Sequence, residues 1–424
     1  MTGASLPLDA WLQDLAGRIV REGGDPPHGA VIRLEAPTLG FAGSVVAGVA
    51  TAAGEPLTPD HPFHVASIGK LFTAVLVLQL SETGALGAAG VDARLADLGV
   101  LEPALLDRLH VLHGVSRGAD LTIRQLLTHT AGLADAFGDD ANGTAERHGR
   151  PAPNGLSAGF WRALKARRNG ETPASPDLVT KVWTAWNPAQ ADDRWAGLLN
   201  YYLAELGAAP AAAPGERFHY SDQAFVLLAL IIERLSGRPY AAVQRDRILA
   251  PLGLDRTWMN IDEAPRGPRP ACDVWMNGVS AMAWGANLSF DWGGGGQVST
   301  VGDLCRFLDG LLSGALFSRP GTLAAMTDWV TPPGLAPPRT ALGLGLQAWA
   351  SPASGAVMIG HAGAWGARLW RDPRTGATVA GTVNQRDPGA WAFEVLDEVW
   401  RRTSAPGQRV AASDPMTIQK EARS

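Results

Sequence analysis

Ser67 and Lys70 stand three residues apart in the stretch His64-Val-Ala-Ser67-Ile-Gly-Lys70-Leu-Phe-Thr-Ala-Val-Leu-Val-Leu-Gln-Leu80. The run after Ser67 is apolar on nearly every face, so as a helix it belongs inside a core. Residues at this spacing share one helical face, which brings the Ser67 hydroxyl beside the Lys70 amine. A serine hydroxyl is a weak nucleophile until a base takes its proton, and a desolvated lysine can be that base. The use of cations along the chain favours this reading. Only 4 of the 36 basic residues are lysines, leaving 36 − 4 = 32 arginines. Arginine does not release its proton, so a position that transfers one needs lysine. The competing reading is a structural ion pair at a helix start.

The elements that must position this pair follow from periodicity. Leu8, Trp11, Leu12, Leu15 and Ile19 make an amphipathic helix over Pro7 to Glu22. Strand-like runs at 30–35 and 44–49 precede the helix that opens at Ser67. A helix over 121–133 is capped by Thr122 and stopped by Gly132. A second apolar helix runs from Asp222 to Ser236, ended by Gly237, and another from Pro239 to Leu252. Strand signals return at 341–349, 356–359, 367–370 and 377–384, before a helix from Ala390 to Arg402. Strands at both ends and helices between them predict one antiparallel sheet closed by the termini, with a helical lobe and a cleft beside it. The fold class is therefore α/β in the α+β sense, with a single catalytic domain over 1–402 and a polar, disordered tail over 403–424.

Composition excludes several classes of function. A net charge of −5 argues against nucleic acid as a partner. Cys272 and Cys305 make no disulfide framework and have no metal-ligand spacing, so no metal and no cofactor are expected. The first residues carry no basic and apolar leader, and no segment reaches membrane-spanning length, so a cytoplasmic protein is expected. Gly114-Val-Ser-Arg-Gly118 and Gly155-Leu-Ser-Ala-Gly159 match a G-x-S-x-G elbow, but with 50 glycines chance matches are expected, and neither lies between a strand and a long helix. The Gly293–Gly296 run lacks a phosphate-loop pattern and reads as a tight turn, and His129 reads as a hydrogen-bonded structural residue.

Three segments in order, Ser67-Ile-Gly-Lys70, Tyr220-Ser-Asp222 and His361-Ala-Gly363, resemble the three motifs of the penicillin-recognising serine hydrolases. The nearest likeness is to the class C β-lactamase-like esterases, D-aminopeptidases and DD-peptidases. Leu126-Leu-Thr-His-Thr-Ala-Gly-Leu133, Pro214 to Asp222, Gly294 to Asp303 and Gly360 to Gly366 extend the resemblance over about residues 28–386. It implies a β-lactamase/transpeptidase-like fold and an acyl-enzyme at Ser67. Tyr220 is the second candidate base, since a phenolate beside a cation can share the proton; Lys70 and Tyr220 titrate as a unit, and which is the resting base stays open. By resemblance the oxyanion donors are the backbone N–H groups of Ser67 and Ala364, with Gly363 permitting a close backbone approach. His361 stands where many β-lactamases have lysine and is a weaker, pH-dependent anion partner. Asp222 stands where class C β-lactamases have asparagine; it either pairs with Lys70 or caps a helix.

The expected activity is hydrolysis of small or medium carboxylic esters. Amidase or D-aminopeptidase activity, acyl transfer, and a catalytically silent binding relative are the alternatives. The partner is a small-molecule ester or amide, with Asp222, His361, Gly363 and Trp365 lining its site. Between 138 and 213 lies an insert with four tryptophans, of which Trp183 and Trp186 are expected to cap the cleft.

Overall fold

The computed structural model describes residues 6–21, 28–135, 138–139, 209–276, 278–283, 288–385 and 389–404. The insert expected to cap the cleft, with Trp183 and Trp186, lies almost wholly outside the described residues, as does most of the tail beyond 403.

Seven strands form one antiparallel sheet: β1 (Gly29–Ala36), β2 (Phe41–Gly48), β3 (Arg339–Leu342), β4 (Gln347–Ala350), β5 (Val357–Ala362), β6 (Ala367–Arg371) and β7 (Thr378–Val383). Their order is β3-β4-β5-β6-β7-β1-β2. The chain closes on itself where β1 meets β7, in register from Ala30↔Val383 to Glu35↔Thr378. Alternation along β1 sends Ala30, Ile32, Leu34 and Ala36 to one face and Val31 to the other. The first face carries α1 (Leu8–Arg21) and α5 (Trp391–Thr403), whose Leu12, Leu15, Val395 and Leu396 complete a compact core with Trp370.

The opposite face receives the helical lobe. At its centre lies α2 (Gly69–Glu82), with α3 (Asp222–Ser236) and α4 (Val301–Leu312) packed around it. The apolar run after Ser67 explains the position of α2, since a helix without a polar stripe must be surrounded. Gly237 ends α3 at φ 65°, the left-handed stop its sequence predicts. Among the described residues no helix is long and apolar enough to cross a membrane.

Two expectations change. The run 341–349 is two strands, because Gly343 to Leu346 turn the chain back, with Gly345 at φ 86°. The helix over 121–133 stops after five residues, Ile123–Leu127, although Thr122 caps it as expected in a capping box with Gln125. His129 adopts φ 53° and ends the helix before Gly132 is reached.

The short strand Phe63–His64 pairs with Gln297–Ser299 and leads into the Ser67 turn. His64 is buried there with neither ring nitrogen hydrogen-bonded. Burial lowers its pKa from 6.5 to about 4. Above pH 6.5 both the folded and unfolded ring are neutral; as pH falls, the unfolded ring takes a proton that the folded ring refuses until about 4, so stability is lost across that window. Replacing His64→Leu should therefore reduce the loss of urea stability between pH 7.5 and pH 4.5 by about 2 kcal/mol. Equal acid sensitivity in both proteins would show that His64 is already solvated.

Candidate active site

The turn Ala66–Ile68 places Ser67 at the mouth of α2, and Ala66 adopts φ 47°, a left-handed conformation that is unfavourable for a residue with a Cβ. One turn on, the Lys70 side chain is wholly buried. Its ammonium donates to three acceptors, one a turn away and two from distant parts of the chain: Ser67 Oγ at 3.0 Å, Asp222 Oδ1 at 2.5 Å and the Gly294 carbonyl at 2.7 Å. All three N–H bonds of the ammonium are thus used. Tyr220 Oη donates to Ser67 Oγ at 2.8 Å, and Lys70 Nζ lies 5.1 Å from the Tyr220 ring centroid. Ser67, Lys70, Tyr220 and Asp222 therefore converge on one point.

The charge state of Lys70 differs from the reading that burial would depress its pKa. Desolvation does pull it down, but electrostatic attraction to its acidic neighbours, Asp222 first among them, outweighs that pull, and the net shift is upward. Lys70 rests as a cation. Burial pushes the Tyr220 phenol up to about 12, with the Lys70 cation opposing, so the phenol keeps its proton at rest. Of the two roles open for Asp222, the structure shows the ion pair. Ser221 is the N-cap of α3, its side chain makes no capping bond, and Asp222 is the first helical residue.

Gly363 permits a close approach, though to the protein itself: a Cβ there would fall 2.2 Å from the Val65 carbonyl oxygen. The end of β5 is thereby brought against the segment that carries Ser67, and Ala364 follows in an exposed turn. Trp365 is 4 % exposed, and its indole N–H donates to the Leu288 carbonyl at 3.3 Å. That placement suits support of the Ala364 turn rather than contact with substrate.

His361 requires a correction as an anion partner. Its Nδ1 donates to the Ala362 carbonyl at 2.8 Å, and its Nε2 sits 3.1 Å from the Gln347 amide nitrogen. Burial, aided by the Lys70 charge, lowers its pKa to about 3. A ring that is neutral and has both nitrogens occupied attracts no carboxylate.

Sequence reasoning missed Asp291 and the carbonyl of Gly294. The glycine run does make a tight turn, and the turn delivers a main-chain acceptor to Lys70. Thr73 Oγ1 donates to the Gly293 carbonyl at 2.6 Å and tethers this turn to α2. Asp291 opens the turn, and its Oδ2 would meet a Cβ on Gly294 at 3.2 Å while Lys70 Nζ would meet it at 3.5 Å. An acid preceding the glycine run is the only signal in the sequence. Among the described residues no cluster of acidic, His and Cys side chains has the makings of a metal site.

With this geometry in place, comparison with known proteins is informative. A family model described as Beta-lactamase matches residues 39–397. The chain belongs to the beta-lactamase family. Its fold is that of a D-amino acid amidase from Ochrobactrum anthropi SV3, at 22 % identity and a TM-score of 0.65 over 98 % of this chain and 99 % of that one. A hydrolase with promiscuous acyltransferase activity shares it at 18 % identity and a TM-score of 0.60, over 93 % of this chain and 98 % of that one. Among curated relatives, the D-alanyl-D-alanine-carboxypeptidase/endopeptidase AmpH of Escherichia coli is 25 % identical over 61 % of this chain and 51 % of its own length. The chain spans between 19 % and 62 % of the length of the first curated relatives it matches. The proteins it resembles thus include an amidase, a hydrolase with acyltransferase activity and a carboxypeptidase/endopeptidase.

Asp291 supports a measurement of the buried charge. Burial raises its pKa from 3.8 to about 7, with Lys70 opposing and Asp222 adding to the rise. Between those values the unfolded acid has released a proton that the folded acid keeps, so this group withdraws stability as pH rises towards 7. Asp291→Asn should gain about 2 kcal/mol on the wild type between pH 5 and pH 8, read from urea unfolding. A difference that does not change with pH would show Asp291 ionised throughout.

Proposed function

We propose that this beta-lactamase-family chain is a serine hydrolase that forms an acyl-enzyme at Ser67 and acts on carboxylic esters of small or medium size. The observation that carries the reading is the double engagement of Ser67 Oγ, by Lys70 Nζ at 3.0 Å and Tyr220 Oη at 2.8 Å. Lys70 is already a cation held by Asp222, so it has no lone pair to offer a proton. Tyr220, which keeps its own proton at rest, is left as the relay through which the serine proton leaves. As Ser67 Oγ attacks the acyl carbon, its proton passes to Tyr220 Oη while Tyr220 passes its own proton on to the leaving-group oxygen, and the neighbouring ammonium stabilises the negative charge this relay carries on the phenol oxygen. Because the free phenolate is costly in this burial, transfer runs in concert with attack. The tetrahedral oxyanion takes the backbone N–H groups of Ser67 and Ala364. Collapse breaks the bond to the leaving alcohol, which departs with the proton from Tyr220. Water then repeats the sequence on the acyl-enzyme, returning the Ser67 proton and releasing the acid.

Amide hydrolysis is the second reading, favoured by the full-length likeness to the D-amino acid amidase. It uses the same residues with a poorer leaving group. A β-lactam is the least favoured substrate. Asp222 offers a carboxylate, already paired, where an amide would donate, and His361 supplies no cation.

Ser67→Ala should abolish both turnover and covalent labelling by a fluorophosphonate, scored by intact mass. Labelling that persists in the variant would overturn the assignment. In a panel of p-nitrophenyl acetate and butyrate, D-phenylalanine amide and nitrocefin, the esters should exceed the amide in kcat/KM by about a hundredfold or more, with nitrocefin at background. Amide turnover equal to that of the esters would make amidase the primary activity. Rapid nitrocefin hydrolysis would refute the argument from Asp222 and His361.

A further inference from the structure

Tyr220 lies on irregular chain just before α3, where no helix or strand ladder holds it. The segment behind it does. Gly215 N–H donates to the Thr130 carbonyl at 2.7 Å, Ser221 Oγ to the Ala134 carbonyl at 3.0 Å, and Asp222 N–H to Asp135 Oδ1 at 3.1 Å. At the centre of this contact one residue engages three successive positions. The His129 carbonyl accepts from the His219 N–H at 2.8 Å. Its ring stacks on the Tyr220 ring at 4.2 Å between centroids and 26° between planes. Its Nδ1 accepts from the Ser221 N–H at 3.2 Å.

The left-handed backbone at His129 makes this possible. For a residue with a Cβ that conformation is unfavourable, and it persists where the surroundings hold it. Here it turns the carbonyl and the ring of the same residue towards one neighbouring segment. Because Nδ1 accepts a hydrogen bond, the ring proton is assigned to Nε2. Phe225, with its centroid 5.2 Å away, closes another side of the ring.

We propose that His129 is the positioning residue of Tyr220, holding its hydroxyl on Ser67 Oγ through the stacked ring and the bonds to the residues on either side. The inference rests on the assignment of Ser67 and Tyr220 as the reacting pair. It goes further by naming what fixes their geometry. A displacement of about 1 Å in a proton acceptor is enough to cost orders of magnitude in rate, and Tyr220 has no regular element to prevent one.

The test is a double-mutant cycle on the full chain. His129→Ala removes ring and acceptor, His129→Phe keeps a stacking ring without the acceptor, and His129→Asn tolerates the left-handed backbone without the ring. Each is made alone and with Tyr220→Phe. The readouts are saturation kinetics with p-nitrophenyl butyrate and with a fluorophosphonate, with thermal unfolding to verify folding. Should His129→Ala fail to fold, His129→Asn carries the cycle. The expected result is a fall in kcat, and in the limiting labelling rate, of about thirtyfold or more for Ala and Asn, with KM and the labelling half-saturation held within about threefold. His129→Phe should recover part of the loss. In the Tyr220→Phe background the His129 substitutions should cost less than about threefold, because the group they position is gone. Losses of equal factor in both backgrounds, or a rise in KM at unchanged kcat, would overturn the proposal. If Ser67→Ala and Tyr220→Phe are both inactive while the His129 losses stay additive, only the positioning role fails. If Tyr220→Phe retains wild-type rates, the catalytic assignment and the positioning role fail together.

Discussion

A fully buried ammonium is the constraint on which the rest of the structure depends. An ion of this size loses several kcal/mol of hydration on burial, and only close partners of opposite sign and good geometry offset that cost. Lys70 finds them in Asp222, in the Gly294 carbonyl and in Ser67 Oγ, and two of those partners lie 152 and 224 residues further along the chain. The lobe can close only when α2, the start of α3 and the glycine turn arrive together. The site and the fold therefore share their most sensitive contact, and a change at any partner alters both.

That ammonium also divides the chemical roles. Lys70 is paired with Asp222 in low dielectric, with Asp291 close by, and this acidic surrounding outweighs desolvation and keeps the lysine protonated. A protonated lysine can only stabilise and orient. In the proposed reaction the proton relay then falls to Tyr220, whose hydroxyl is the other group on Ser67 Oγ.

Much of this was legible in the sequence, for identifiable reasons. Lys70 stood out because arginine fills most other cationic positions, and its spacing from Ser67 is a local property of a helix. The helix over Asp222–Ser236 was readable because Gly237 punctuates it, and the closure of the sheet by the termini followed from the order of strands and helices. What escaped depends on tertiary approach. The charge of Lys70 and the neutrality of His361 are set by burial and by neighbours far away in sequence, and periodicity carries no information about either. The same holds for Asp291, whose meaning comes from a lysine more than two hundred positions earlier. The helix after Thr122 was overextended because propensity favours its continuation, whereas the contact with 219–221 holds His129 in a left-handed conformation.

The last consequence concerns where precision in this protein resides. Lys70 is locked in the first turn of α2, Ser67 in the turn that leads into it, and Asp222 in the first turn of another helix. Gly363 is held by the end of a strand whose neighbours on both sides are paired. Tyr220 sits on irregular chain, farther from any strand ladder, and is held by contacts with another loop. Its geometry is borrowed from residues 129–135, a segment that itself breaks out of a helix to supply it. A fold that anchors most of its site at the ends of helices and strands, and Tyr220 on side-chain and loop contacts, concentrates its tolerance for change at Tyr220. Sequence drift near His129 should then tune rate and preference while leaving the sheet, the helices and the Lys70 charge cluster in place.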